Sequence, residues 1–404
     1  MPIEVSPCDS PEAQLLALAP VFHYFGMTPA AQEGTRFLPF IEPSRSFAAR
    51  EHGATVGGCA SFPFEMTVPG GTVRCSGLTV VGVVPTHRRR GVLRSMMRAQ
   101  LDDTRRRGEP IAALWASEEG IYGQFGYGIA SISGDIELPR SMTSFVQPFE
   151  PRGEIRILSE AEALGPLSQA YERIRLGQPG MMRRSDEWWY KRRLADPESK
   201  RQGAGELTRV ALSLDGQPAG YALYRLNQKL DAGSTSGYVQ VIEAMGATLE
   251  ATREVWHFLF SIDWVASTKA MLLPIDHPLW FLLARPREMN YRMHDGLWVR
   301  LVDLPAALAA RTLGDAAPVV VEVTDAFCDW NAGRWQLSAK GAERSTAAAE
   351  LACDVTALGS VYLGGFSFAR LARAGRVSEL REGAAARADL LFPTDRAPWC
   401  PELF

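Results

Sequence analysis

Two runs rich in β-branched and small apolar residues, 54–64 and 72–84, are separated by Pro69-Gly70-Gly71 and lead into Pro85-Thr86-His87-Arg88-Arg89-Arg90-Gly91. A helical pattern follows at once. This succession constrains the fold more than any other stretch of the chain. The two runs read as strands joined by a turn. Residues 91–107 read as a helix, with Val92/Leu93, Met96/Met97 and Gln100/Leu101 recurring at helical spacing. Arg105-Arg106-Arg107 crowd its last turn, and Gly108 and Pro110 end it. A strand that delivers a basic, glycine-ended loop to a helix start points backbone N–H groups outward at a positive helix end. A pyrophosphate can sit there. Gly91 lets the backbone approach closely, and the arginines neutralise phosphates bidentately. For the arginines alone, a solvated basic loop is the better account; the strand–proline–basic–glycine–helix context reverses that.

Composition narrows the class. A chain of 404 residues predicts two or three domains, and 46% hydrophobic with 22% charged residues is too apolar for disorder. Lys+Arg of 43 against Asp+Glu of 46 leaves a net charge of −3, with no basic excess for nucleic acid or an anionic membrane. Cys8, Cys59, Cys75, Cys328, Cys353 and Cys400 show no C-x-x-C spacing, so neither a zinc ribbon nor a disulfide framework is expected. Met1-Pro2-Ile3-Glu4 lacks the basic-then-apolar run of a signal peptide. The longest uncharged stretch, 13–32, holds Pro20, Pro29 and His23 and cannot span a bilayer. A cytoplasmic protein is expected.

Three blocks are drawn, 1–147, 148–295 and 296–404. In the first, residues 111–116 form a short apolar strand, followed by the glycine-rich 120–128. The second carries an acidic helix near 159–176 and a strand pair at 207–214 and 220–226 around Asp215-Gly216. A strand at 238–245, a helix at 249–266 and a strand at 270–274 come next. Hairpin, strand, helix, strand repeats the order of the first block, a duplication of pattern rather than of sequence. After the strand, Gly246-Ala247-Thr248-Leu249-Glu250 offers no basic glycine loop, so this block is expected not to bind a phosphate. The third block alternates short strands with alanine-rich helices and shows no catalytic constellation.

Arg88-Arg89-Arg90-Gly91-Val92 resembles the R-x-x-G-x-[GA] acyl-CoA loop of the GNAT N-acetyltransferases, with Leu93 where Gly or Ala is usual. Ala116-Ser117-Glu118-Glu119-Gly120-Ile121-Tyr122-Gly123-Gln124-Phe125-Gly126-Tyr127-Gly128 is similar to the enhanced intracellular survival (Eis) acetyltransferases. So are Asp295-Gly296-Leu297-Trp298-Val299-Arg300, Pro305-Ala306-Ala307-Leu308 and Leu358-Gly359-Ser360-Val361-Tyr362-Leu363-Gly364. The matches fall in all three blocks. The resemblance implies an α+β chain of two tandem GNAT-like α/β domains, the second degenerate, plus a C-terminal domain like a sterol carrier protein, assembled as a homohexamer. It implies acetyl-CoA as co-substrate, no metal, and transfer of the acetyl group to primary amines of aminoglycosides, other polyamines or protein lysines.

Residue by residue, the resemblance lays the acetyl donor against Val81, Gly82 and Val83, where a splayed strand offers N–H groups to the oxyanion. It places the pyrophosphate at Arg89, Arg90, Gly91, Val92, Leu93 and Arg94, with further contacts at Ser117 and Glu118. Tyr122 matches the general acid for the departing thiolate, and a phenol stays protonated at neutral pH. By itself, Tyr-Gly-x-Phe-Gly-Tyr-Gly is equally a turn with aromatics in the core, and Tyr127 is the rival within the motif. Family members end in phenylalanine, whose α-carboxylate is the general base; this chain ends in Phe404. A carboxyl with a pKa of about 3.5 is fully charged and can accept an ammonium proton. A chain end usually frays, but Trp399, Leu403 and Phe404 with Pro398 and Pro401 argue for docking.

Two departures bear on the acceptor. Aminoglycoside-active members carry an acid just before the terminal Phe and another in the first helix; Leu403 and Tyr24 stand there, with Glu402 one residue off. Fewer carboxylates imply weaker or narrower action on polycationic sugars. There is no G-x-S-x-G, Walker loop, H-E-x-x-H or Rossmann G-x-G-x-x-G. The alternative is a lipid- or ligand-binding protein that uses the third block.

Overall fold

The computed structural model describes residues 3–24, 26, 38–231 and 234–404. They fall into two compact units: Met1–Ser131 with Gly296–Pro398 and Glu402–Phe404, and Ile132–Asp295 with Trp399–Pro401.

The first unit opens with β1 (Glu4–Pro7), α1 (Pro11–Tyr24), β2 (Ser46–Glu51), β3 (Ala54–Val68) and β4 (Gly71–Val83). Then come α2 (Val92–Arg106), β5 (Ile111–Trp115) and β6 (Gly128–Ile129). These strands and Leu297–Leu301 make a seven-stranded sheet in the order β1-β2-β3-β4-β5-(Leu297–Leu301)-β6. The β3–β4 hairpin turns between Val68 and Gly71, as Pro69-Gly70-Gly71 predicts. α2 buries Val92, Met96, Met97 and Leu101 on one face. That stripe forms one core cluster with Phe47, Val56, Cys59, Leu78 and Leu114 of the sheet.

Leu297–Leu301 is buried throughout and pairs antiparallel with β5, Leu297 facing Trp115 and Leu301 facing Ile111. The third block therefore begins inside the first sheet. Its own five-stranded sheet follows the order Gly341–Arg344, Gly333–Ser338, Val319–Thr324, Leu351–Asp354, Val377–Glu379. The helix Val355–Tyr362 is buried at all eight positions. A buried ion pair joins the two sheets: Arg300, 0% exposed, donates to Asp325 at 2.7 Å. Asp325 also accepts from the N–H groups of Phe327 (3.2 Å) and Cys328 (2.8 Å) and from Asn331 Nδ2 (3.3 Å).

The second unit repeats the theme. Its seven strands run in the order Arg292–Asp295, Ile132–Pro139, Ser267–Pro274, Tyr238–Gly246, Gln217–Asn227, Thr208–Leu214, Glu154–Leu158. Ile132–Pro139, which precedes the boundary expected at 147, is a strand of this sheet. Order along the chain does not reveal which sheet a strand joins. The acidic helix spans Glu160–Arg175 with a capping box between Ser159 and Glu162. The helix expected to run to 266 stops at Phe260, where the Ser261 N–H and Oγ both turn back onto the last carbonyls. Its start differs from that of α2, because the Thr248 hydroxyl accepts the Ala251 N–H at 3.1 Å. Beyond the last parallel pair, Val241 with Ala270, lies buried Glu243. Burial alone would raise its carboxyl, but Arg184 and Arg193 hold it well below the usual range. Trp399 packs into this unit with Tyr171, Trp189 and Tyr221, and its N–H donates to Pro179 O at 2.8 Å.

Removing one partner of a buried ion pair leaves an uncompensated charge, so Asp325→Ala is expected to cost about 3–5 kcal/mol. Differential scanning calorimetry should show the domain containing Arg300 melting earlier, and an unchanged profile would contradict this role. A pH effect follows from His277, which is buried, accepts the Leu279 N–H at 3.1 Å and is pushed down by burial to about 3. Between its unfolded value of about 6.5 and about 3, the unfolded chain binds more protons than the folded one. Stability is therefore present above pH ~6.5 and is lost as the pH falls toward 3. Urea midpoints at pH 7 and 5 should fall more for the native chain than for His277→Asn, whose amide keeps an acceptor.

Candidate active site

β4 and β5 run parallel for only three residue pairs, Cys75 with Ile111, Ser76 with Ala112 and Gly77 with Ala113. Beyond Gly77, β4 continues against β3 to Val83, while β5 continues against Leu297–Leu301. The two strands part, and β4 beyond Gly77 has no strand partner on the β5 side among the described residues. In the opened stretch the register with β3 shifts: Ala60 faces Thr79 and Gly58 faces Gly82, so Val80 and Val81 together oppose Cys59. Val80 adopts a φ of 46°. A β-branched residue rarely enters that region, and the surrounding ladder must hold it there. A bulge of this kind re-aims the strand, and Val81, Gly82 and Val83 follow it.

The chain then turns at Pro85–His87, with the His87 N–H on Val84 O at 2.9 Å. Arg89 (φ 60°) and Gly91 (φ 82°) are left-handed, and at Gly91 that conformation favours glycine. Gly91 caps α2 with no side chain, and the first helical bond is from the Ser95 N–H to Gly91 O at 3.0 Å. The N–H groups of Val92, Leu93 and Arg94 thus have no partner within the helix, at its positive end. This is a donor set suited to an anionic group.

The arginines divide by role. Glu51 takes Arg90 at 2.6 Å and His87 at 3.0 Å. Desolvation pulls the Glu51 carboxyl up, but the His87 hydrogen bond and the Arg90 charge leave it below its ordinary value. Arg94 lies 5.0 Å over the Phe327 ring, and Arg98 lies 4.5 Å over the same ring while donating to Phe327 O. Arg89 is exposed and has no ion-pair partner among the described residues.

Ser117 and Glu118 are exposed just past β5. Tyr122 ends the short helix Glu119–Tyr122 and is 7% exposed. It shares the core cluster with Cys59, Leu78 and Val92, against which Val81, Val83 and Leu93 pack. The structure thus brings the opened strand, the start of α2 and Tyr122 together. Tyr127 meets Tyr122 edge-on at 6.2 Å. It is fully buried, its hydroxyl finds no hydrogen-bond partner among the described residues, and burial pushes it well above the usual tyrosine value.

The chain end is docked at the same opening. The Phe404 ring meets Phe64 at 4.9 Å and Phe62 at 6.2 Å, both edge-on. A Cβ on Gly77, the last residue of β4 to pair with β5, would lie 3.2 Å from the Phe404 ring and 2.4 Å from that of Phe64. Only a glycine fits beneath those rings. Glu402 is buried, and its carbonyl accepts the Trp115 indole N–H at 2.6 Å. Phe62, Phe64, Gly77 and Trp115 are not singled out by the sequence, since their roles arise from contacts far apart in the chain. The side chain of Tyr24 lies outside the described residues. Among those residues, no group of three or more His, Cys, Asp or Glu could hold a metal ion, and no helix is long and apolar enough to cross a membrane.

Family models agree with this architecture. Residues 17–130 and 180–301 each match an acetyltransferase (GNAT) domain, and residues 304–401 match a sterol carrier protein domain. An uncharacterized N-acetyltransferase of Streptomyces coelicolor is 42% identical over 94% of both chains. The N-acetyltransferase Eis of Mycobacterium tuberculosis is 33% identical over 96% of this chain and 95% of its own. The crystal structure of Eis1 from Mycobacterium abscessus superposes with a TM-score of 0.87 at 33% identity, over 99% of this chain and all of that one. Parted strands, an uncapped helix end and the match along the whole length lead to one assignment: the chain belongs to the Eis family of GNAT N-acetyltransferases, with two tandem GNAT domains and a C-terminal sterol-carrier-like domain.

Proposed function

We propose that this enzyme transfers the acetyl group of acetyl-CoA directly to primary amines at the opening between β4 and β5. The observation that carries the reading is the seating of Phe404 against Gly77, where the two strands part. The N–H groups of Val92, Leu93 and Arg94, with the Arg89 guanidinium, hold the pyrophosphate. Arg90 contributes by leaving Glu51, and Ser117 and Glu118 line the approach. Val81, Gly82 and Val83 present amides to the charge that develops on the acyl oxygen. The Phe404 carboxylate takes a proton from the acceptor ammonium, and the Tyr122 hydroxyl gives one to the departing thiolate. The second GNAT domain lacks the loop and caps its own helix with Thr248, so it does not bind acetyl-CoA.

The acceptors are aminoglycosides, other polyamines or protein lysines, and aminoglycoside acetylation would confer antibiotic resistance. Leu403 is half exposed where the aminoglycoside-active pattern has an acid, which favours a narrower range of cations. By kinship, the working form is a cytoplasmic homohexamer. Lipid carriage is the weaker reading. The cavity bordered by Trp298 and Leu371 is about 330 Å³, at the small end for a ligand pocket.

Thiol release from acetyl-CoA against kanamycin, tobramycin, spermidine and a lysine peptide tests the reading. Tyr122→Phe is expected to lower kcat about 100-fold while KM for acetyl-CoA stays within about twofold. Adding one glycine after Phe404 should have a similar effect, since it moves the carboxylate. Full turnover in either variant would sink the corresponding role. Arg89→Ala should instead raise KM for acetyl-CoA by about tenfold at low salt and by less at high salt, because screening weakens the contact. A kcat effect with KM unchanged would remove Arg89 from the phosphate site.

A further inference from the structure

Two contacts of different kinds help to hold the last three residues. Phe404 is gripped by its ring, between Phe62, Phe64 and Gly77. Glu402 is gripped by its carbonyl, on the indole N–H of Trp115 at 2.6 Å. Between them Leu403 is 50% exposed. A ring seated among rings fixes where the last residue lies but leaves its carboxylate free to swing about the backbone torsions of 403 and 404. The carbonyl anchor narrows that freedom, because it fixes the direction in which the chain enters the seat.

Trp115 is suited to the task. It is the last residue of β5, and its backbone is set by the ladder opposite Leu297, at the point where β5 has left β4. Its indole is a donor only and takes no proton in the neutral range, so it cannot be the acid or the base itself. Glu402 is 1% exposed, and a buried carbonyl without its donor is costly, so the contact is not a loose one.

We propose that Trp115 is a positioning residue: by fixing the Glu402 carbonyl, it aims the Phe404 carboxylate into the opening between β4 and β5. This rests on the reading of that carboxylate as the general base.

Trp115→Phe keeps an aromatic ring and deletes the donor; Trp115→Met, less demanding of shape, serves as a second variant, and melting curves check that both fold. Two readouts are needed. The first requires no acceptor: carboxypeptidase A should release Phe404 at least about fivefold faster from both variants than from the native enzyme. Equal rates would overturn the anchor. The second is turnover with the best amine of the panel. Both variants should lose about tenfold in kcat with KM for acetyl-CoA unchanged, since a small misplacement of a reacting group costs rate rather than binding. On the enzyme carrying an extra glycine after Phe404, the same substitutions should cost nothing further. An equal loss on both backgrounds, or a loss in KM alone, would make Trp115 merely structural. Undiminished turnover in the glycine-extended enzyme would instead remove the terminal carboxylate as base, and the aiming role with it, whatever the carboxypeptidase rates show.

Discussion

Everything at the candidate site depends on β4 and β5 ceasing to pair after Gly77 and Ala113. A parallel pair inside a sheet ordinarily satisfies both edges of each strand, and a row of unpaired amides is a liability. Here the liability lies at the candidate site. β5 is held away from β4 by its ladder to Leu297–Leu301, while β4 is held by β3 and bulged at Val80. The strand that forces the parting comes from residues nearly two hundred positions downstream. Its Arg300 is locked to Asp325 in the C-terminal sheet, so the geometry of the opening and the packing of the last domain are parts of one construction.

The second GNAT sheet shows what the same architecture does without that surface. Its central strands also part, after Val241 and Ala270, and further along the strand Glu243 is buried with Arg184, Arg193 and Tyr221. Removing Glu243 would strand the buried Arg184 charge, so this network fixes the strand there. Thr248 closes the helix end by capping it, whereas Gly91 leaves the end of α2 open. The contrast reduces to two local choices: a hydroxyl or no side chain at the cap, and a buried ion pair or none beyond the splay.

Local features of this fold were legible in the sequence. The β3–β4 hairpin, α2 and the capped acidic helix follow from turn residues, apolar spacing and end charges, which act within a few positions. The strands Glu4–Pro7 and Ser46–Glu51 were not, being short and only weakly patterned. Nor was the placement of Ile132–Pro139 in the second sheet and Leu297–Leu301 in the first, because pairing partners are chosen by the whole chain. At the site, the basic glycine loop stood out, yet its arginines were indistinguishable: that Glu51 holds Arg90 and that Phe327 carries Arg94 depends on elements far away. Tyr122 and Tyr127 occupy one motif, and only the fold shows that Tyr127 is fully buried. The left-handed Val80 leaves no trace in composition, since it arises from two residues opposing one across a ladder.

The last residues of a chain ordinarily gain most from remaining disordered. Three features of this tail oppose that tendency. Pro398 and Pro401 have fewer conformations to lose. Trp399 is buried among aromatic side chains. The final ring then enters a seat whose floor is Gly77, where any side chain would collide. Because that floor is also the last residue of β4 to pair with β5, the ring sits where the strands part, and their parting is a precondition of its docking.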